Sequence, residues 1–112
     1  MEIAVDKIGD VAVVSMPVEE LDAGNTAEFK RDISPVLEVN TKVVLDLSKL
    51  RFLDSSGLGS FLSCLRKLNS GGGDLKLCGM SPQVRTIIEM VRMHRIFDIY
   101  GTREEAVRAF DH

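Results

Sequence analysis

Residues 43–61 read VVLDLSKLRFLDSSGLGSF, and the reading of this stretch decides the fold. Val43-Val44-Leu45-Asp46-Leu47 is a short, nearly continuous apolar run with β-branched character, as expected of a strand buried on both faces. From Leu58 onward the apolar period changes. Leu58, Phe61, Leu62, Leu65 and Leu68 fall at the steps of an amphipathic helix. Between strand and helix, Asp54 and Ser55 stand where side-chain oxygens can cap free helix amides, and Gly57 and Gly59 leave room for close approach to the backbone. A buried strand followed by a turn and a helix is the building unit of a parallel sheet.

The same alternation extends in both directions. Toward the N-terminus, Ile3–Ile8 and Val11–Met16 flank Gly9-Asp10 and read as a β-hairpin that Pro17 terminates. Phe29, Ile33, Val36, Leu37 and Asn40 give a first helical stripe, with Asp22 or Asn25 placed to cap it. Pro35 lies inside that stripe and is expected to kink the helix or end it early. Toward the C-terminus, Ser70-Gly71-Gly72-Gly73-Asp74 stops the second helix, and Leu75–Gly79 is another short strand. Ser81-Pro82 opens a third helix that continues through Val84, Ile87, Ile88 and Val91. Ile96–Tyr100 reads as a last strand, and Thr102 with Glu105 as the capping box of a last short helix. The predicted order is β-β-α-β-α-β-α-β-α. That is a single α/β domain over residues 1–112, with a mainly parallel sheet of about five strands, an N-terminal hairpin and about four helices.

Composition narrows the function. A length of 112 residues supports one packed core, and a net charge of −3 argues against nucleic acid as a partner. No apolar run reaches the roughly 18 residues of a membrane span, and Glu2 stands where a secretory leader carries positive charge, so a cytoplasmic protein is expected. Cys64 and Cys78 fit no metal or redox spacing and read as small buried hydrophobes.

The chemistry of the central turn is then approached by elimination. A nucleophilic Ser55 or Ser56 needs a base, but the histidines are His94, near a helix end, and His112, at the chain terminus and read as a solvated tail. The Gly-x-Ser-x-Gly elbow is absent, and Gly57-Leu58-Gly59 lacks the third glycine of a dinucleotide loop because Leu62 stands there. Gly71-Gly72-Gly73 leads into a strand, so it offers no helix amides to a phosphate. Asp46 resembles a receiver phosphoacceptor, yet Asp10 is isolated and the strand Ile96–Ile99 carries no lysine. Two readings of the turn remain: a capped strand-to-helix junction only, or a junction whose hydroxyl accepts a phosphate and so switches docking through added charge. Met80, Met90 and Met93 are read as core or helix-face filling, and Glu19-Glu20 and Glu104-Glu105 as solvated.

Residues 43–61 closely resemble the signature of STAS domains, in particular the bacterial anti-sigma factor antagonists. The likeness extends to LDAGNTAEFK (21–30), GGGDLKLCGMSPQVRTIIEM (71–90) and IFDIYGTREEAV (96–107), and Pro17 and Pro35 depart from the pattern. The resemblance implies a non-enzymatic binding switch without a cofactor. The unphosphorylated protein would bind a cognate anti-sigma factor and free a sigma factor. That anti-sigma factor, a GHKL-type serine kinase, would phosphorylate the serine after the motif aspartate, here Ser55, with Ser56 in reserve. A PP2C-type phosphatase would restore the binding form. The docking face would comprise Asp22, Asp54, Ser55, Ser56, Gly57 and Leu58, with Asp22 equally readable as a helix cap. The protein would be a monomer when free. The alternative is a STAS subunit that scaffolds a transport or stress-signalling complex and is never phosphorylated.

Overall fold

In a computed structural model, which describes residues 1–111, the chain alternates strand and helix as the sequence predicts. The N-terminal hairpin pairs β1 (Ala4–Ile8) with β2 (Val11–Ser15) in antiparallel register, Asp6 facing Val13. A two-residue strand β3 (Glu20–Leu21) leads to helix α1 (Thr26–Val39) and then to strand β4 (Lys42–Asp46). Strand β5 (Phe52–Leu53) precedes α2 (Ser55–Ser70), which is followed by β6 (Asp74–Cys78) and α3 (Pro82–Met90). A 3-10 turn at Met93–Arg95, strand β7 (Asp98–Tyr100) and α4 (Arg103–Arg108) complete the described chain. His112 lies outside the described residues.

The main sheet has the order β1-β2-β4-β6-β7, parallel throughout except for the hairpin edge. Its two faces are buried differently. Ala12 and Val14, Val43 and Leu45, and Leu75 and Leu77 face the main core with α1, α2 and α3. Val11, Val13, Val44 and Cys78 face the other way, toward Ala106 of α4. Burial on both sides is why β4 reads as an unbroken apolar run. Within the main core, Phe29 of α1 meets Phe61 of α2 edge to face, with ring centroids 6.1 Å apart.

Several expectations need correction. Helix α1 does not end at Pro35 but runs on to Val39. Pro35 and Arg31, whose carbonyl loses its partner, both lie on the solvent side, where water can satisfy that oxygen. Neither Asp22 nor Asn25 caps α1 through its side chain: Thr26 and Phe29 donate instead to the backbone carbonyls of Asp22 and Asn25. The last strand is shorter than Ile96–Tyr100, because a 3-10 turn occupies the residues before it and leaves Ile96 exposed. Met80 and Met93 pack partly against the core as expected, but Met90 is 78% exposed.

The caps of the later helices follow the sequence. Ser81 Oγ accepts from the Val84 amide at 3.2 Å, and Thr102 Oγ1 from the Glu105 amide at 3.2 Å. After α2, Gly72 takes φ +81°, the left-handed conformation that lets the chain turn out of a helix. Cys64 and Cys78 are both buried, one in each core, and burial pushes each thiol up to about 12.

Candidate functional site

Two stretches far apart in sequence are brought together by a structure the sequence reading missed. β3 and β5 form a small parallel ladder with Glu20 opposite Phe52 and Leu21 opposite Leu53. The Arg51 and Phe52 amides donate to the Glu19 carbonyl at 2.7 and 3.1 Å, and the Asp54 amide to the Leu21 carbonyl at 3.3 Å. Asp22 and Asp54 are the next residues on each strand, so the ladder delivers them side by side. Strands of two residues are too short for periodicity to reveal, which is why they were not legible.

Asp54 then ties the two segments together. One carboxylate oxygen accepts from the Gly57 amide at 3.0 Å, which makes Asp54 the N-cap of α2. The other accepts from the Ala23 amide at 3.1 Å, across to the loop before α1. The Gly57 amide is the main cause that lowers the Asp54 pKa, with the Ala23 and Ser56 amides adding to it against partial desolvation. Because Asp54 takes the capping role, Ser55 does not. It becomes the first residue of α2, exposed, at the electropositive end of the helix.

The Asp22 loop is ordered by its own bonds. Asp22 Oδ1 accepts from the Gly24 amide at 2.8 Å, and Asn25 Oδ1 accepts from the Asp22 amide at 2.9 Å. The Asn25 side-chain amide donates to the Glu20 carbonyl at 2.9 Å, anchoring the loop to β3. Asp22 is half-buried, with its Oδ1 committed to the loop. The helix-cap reading of Asp22 is therefore replaced by that of a loop-ordering carboxylate.

Gly57 and Leu58 lie beneath the surface rather than on it. Leu58 is 6% exposed and belongs to the main core, so it shapes the face from below. A side chain at Gly57 would meet the Leu21 carbonyl oxygen at 2.5 Å; its absence lets α2 and the β3 strand approach. Gly59 has nothing within 4 Å and is open to solvent. Of the nearby hydroxyls, Ser60 is buried and donates to the Gly57 carbonyl at 2.6 Å, Ser56 is half-buried, and Ser55 is the exposed one. Sequence reasoning also passed over Phe52, which is 45% exposed beside Asp54. The signal was available: Phe52 points out while Leu53 points in, the alternation of a strand with one wet face.

The residues of the rejected chemistries sit elsewhere. His94 occupies the connection that enters β7, whereas Ser55 follows the end of the β4-β5 segment, at the opposite end of the sheet. Asp46 is committed to structure: its Oδ2 accepts from Arg103 at 2.7 Å and its Oδ1 from the Ser48 amide at 3.0 Å. Burial works to raise its pKa, but the Ser48 and Arg103 hydrogen bonds outweigh this and hold it below the ordinary value. Arg103 also reaches Asp6 and Ser15, fastening α4 across β1, β2 and β4.

Comparison with known proteins gives one family. The STAS domain family model matches residues 2–106. A candidate anti-sigma factor antagonist from Bordetella bronchiseptica is 28% identical over 111 residues, covering 98% of this chain and 95% of its own. A second candidate antagonist, from Thermotoga maritima, is 31% identical over 103 residues, covering 90% of this chain and 91% of its own. A crystal structure of a candidate antagonist from Thermotoga maritima superposes with a TM-score of 0.90 at 27% identity, covering 98% of this chain and 95% of the other.

Proposed function

The chain belongs to the STAS domain family, and on that premise we propose that it is an anti-sigma factor antagonist whose binding is switched by phosphorylation of Ser55. Its relatives named as antagonists over nearly their full length support the class of partner. In this reading the STAS domain spans residues 1–112 and acts in the cytoplasm as a monomer when free. It has no catalytic activity of its own and does not bind nucleic acid. The unphosphorylated form binds a cognate anti-sigma factor, which is also a GHKL-type serine kinase, and frees the sigma factor.

The observation that carries this reading is the division of labour at the start of α2. Asp54 holds the helix cap and the Asp22 loop with its two oxygens, and the adjacent Ser55 hydroxyl is left exposed. A kinase can reach that hydroxyl without unfolding the helix. The phosphate adds about −1.5 to −2 charge. The helix end tolerates it, because the dipole is positive there. The docking surface does not, because the new charge joins Asp22 and Asp54 on one patch and brings a hydration shell that an apolar contact such as Phe52 cannot displace. The fold persists and docking is lost. A PP2C-type phosphatase reverses the step. Ser56 is the reserve acceptor.

The test is reconstitution with the cognate kinase and ATP. Wild-type protein gains one phosphoryl group, Ser55→Ala gains none and still docks, and Ser55→Asp docks more weakly. Docking to a transporter or scaffold subunit by an unmodified Ser55 surface, with no kinase acting on it, would support the scaffold alternative instead.

A further inference from the structure

Among the described residues seven large apolar side chains are exposed, and Met90, Val91 and Ile96, at 78%, 51% and 51%, fall within one short connection. This segment closes α3, makes the 3-10 turn and enters β7. Its exposed polar residues are Arg92, His94 and Arg95, with no acid among them. The acids at its borders are engaged elsewhere: Glu89 with Arg85 at 3.7 Å and Asp98 with Lys76 at 2.9 Å. Among the described residues, neither Arg92 nor Arg95 joins an ion pair. In a chain of net charge −3, this connection combines exposed apolar side chains with a local excess of positive charge.

Arg92 supplies a second, independent observation. It has φ +59°, the left-handed conformation, among described residues the only non-glycine to adopt it. It follows the Val91 cap, the position at which helices commonly place glycine because a Cβ is strained there. The strain is carried by an arginine whose guanidinium bonds nothing among the described residues, so contacts among them do not account for it.

We propose that the connection from Met90 to Ile96 is a docking surface for an acidic, apolar-centred segment of a partner protein, separate from the Ser55 face. Charge complementarity selects the occupant. The two guanidinium groups present planar donor forks suited to carboxylates, and the unbranched Met90 side chain adapts to an apolar partner. An anionic membrane fits less well, since the segment has no lysine cluster and no exposed aromatic ring, and the net charge of the chain is negative. α3 runs from the C-terminal end of β6 back to the start of β7, so this surface lies at the end of the sheet opposite Ser55. A partner held here leaves the Ser55 face free, which makes the domain bivalent.

The experiment uses isotope-labelled full-length protein and, as probe, a synthetic helical peptide with leucines on one face flanked by glutamates. Saturable binding is expected, weakening as salt is raised, with amide shifts at residues 89–97 and none at 54–59. Arg92→Gly is the discriminating variant. It relieves the left-handed strain, so the expected result is a higher Tm together with affinity about three- to fivefold lower. Arg92→Glu with Arg95→Glu is expected to abolish binding. No saturable binding, shifts that map elsewhere, or an Arg92→Gly variant that binds as well as wild type would each overturn the proposal. So would phosphatidylserine vesicles binding through the same arginines while the peptide does not, an outcome that assigns the surface to a membrane.

Discussion

Gly57→Ala and Gly59→Ala add the same methyl group two residues apart on α2, and the geometry sets their effects on stability apart, with a gain at Gly59 and none or a loss at Gly57. Both replacements gain the helix preference of alanine, worth up to about 1 kcal/mol. At Gly59 the new Cβ meets nothing within 4 Å, so the gain stands alone. At Gly57 it lands 2.5 Å from the Leu21 carbonyl oxygen and 3.0 Å from Leu53 Cβ. Neither neighbour is the tip of a flexible side chain: one is ladder backbone and the other a core residue with 1% exposure. Overpacking of this kind costs about 1–3 kcal/mol, which cancels or exceeds the helix gain. The two variants should therefore differ by about 1–3 kcal/mol, or roughly 4–12 °C in Tm for a domain of this size. Urea titration at constant m-value, with thermal melting alongside, measures the difference. Equal shifts in the same direction would refute the argument that α2 and β3 are in contact at Gly57, and with it the account of how the Asp22 loop is held against Ser55.

Other outcomes follow from the same geometry. Ser55→Ala should change stability by no more than about 0.5 kcal/mol, since the exposed hydroxyl makes no bond among the described residues, whereas Asp54→Ala, which strips both the α2 cap and the bond to Ala23, should lower Tm clearly; thermal melts of the pair decide. The folded-state pKa of Asp46 lies below its unfolded value of about 3.9, so the Arg103 clasp contributes stability that is complete above that value and lost as pH falls through the folded pKa. Asp46→Asn should flatten the decline of Tm between pH 5 and about 3 relative to wild type. Thiol labelling at pH 8 should be slow at both cysteines, because Cys64 and Cys78 are buried with pKa pushed up to about 12. Cys78, beneath the six-residue α4, should label faster than Cys64, which sits on the core face of the longer α2; equal rates would mean that both report global unfolding only.

Much of the fold was legible because the elements that carry it are long or clearly punctuated. β4 and α2 announce themselves by a change of apolar period, and Ser81 and Thr102 by caps whose hydroxyls accept the expected amides, although Glu105 returns to the Thr102 hydroxyl rather than to its amide. What escaped was set by tertiary contact. Pro35 is tolerated because its orphaned carbonyl faces solvent, which requires knowing where α1 packs. The β3-β5 ladder is too short to have a pattern, yet it places Asp22 beside Asp54. At the site, residue types alone left Asp54 and Ser55 equally able to cap α2; only the bonds from Gly57 and Ala23 to Asp54 separate cap from exposed hydroxyl. Met90 looked like helix-face filling, but it lies two residues, about 200° of helix, beyond the buried Ile88 and so faces solvent.

The central claim, that the Ser55 hydroxyl is the substrate of a partner kinase and the switch for docking, is tested most directly by one site-resolved mass measurement. The protein is incubated with its cognate anti-sigma kinase and ATP, and fragments spanning residues 51–66 are sequenced before and after removal of the bound partner. A single phosphoryl group on Ser55, confined to the fraction that no longer binds, is the predicted result. Phosphate on any other residue, or a Ser55-phosphorylated fraction that remains bound as tightly as the unmodified one, would contradict the account.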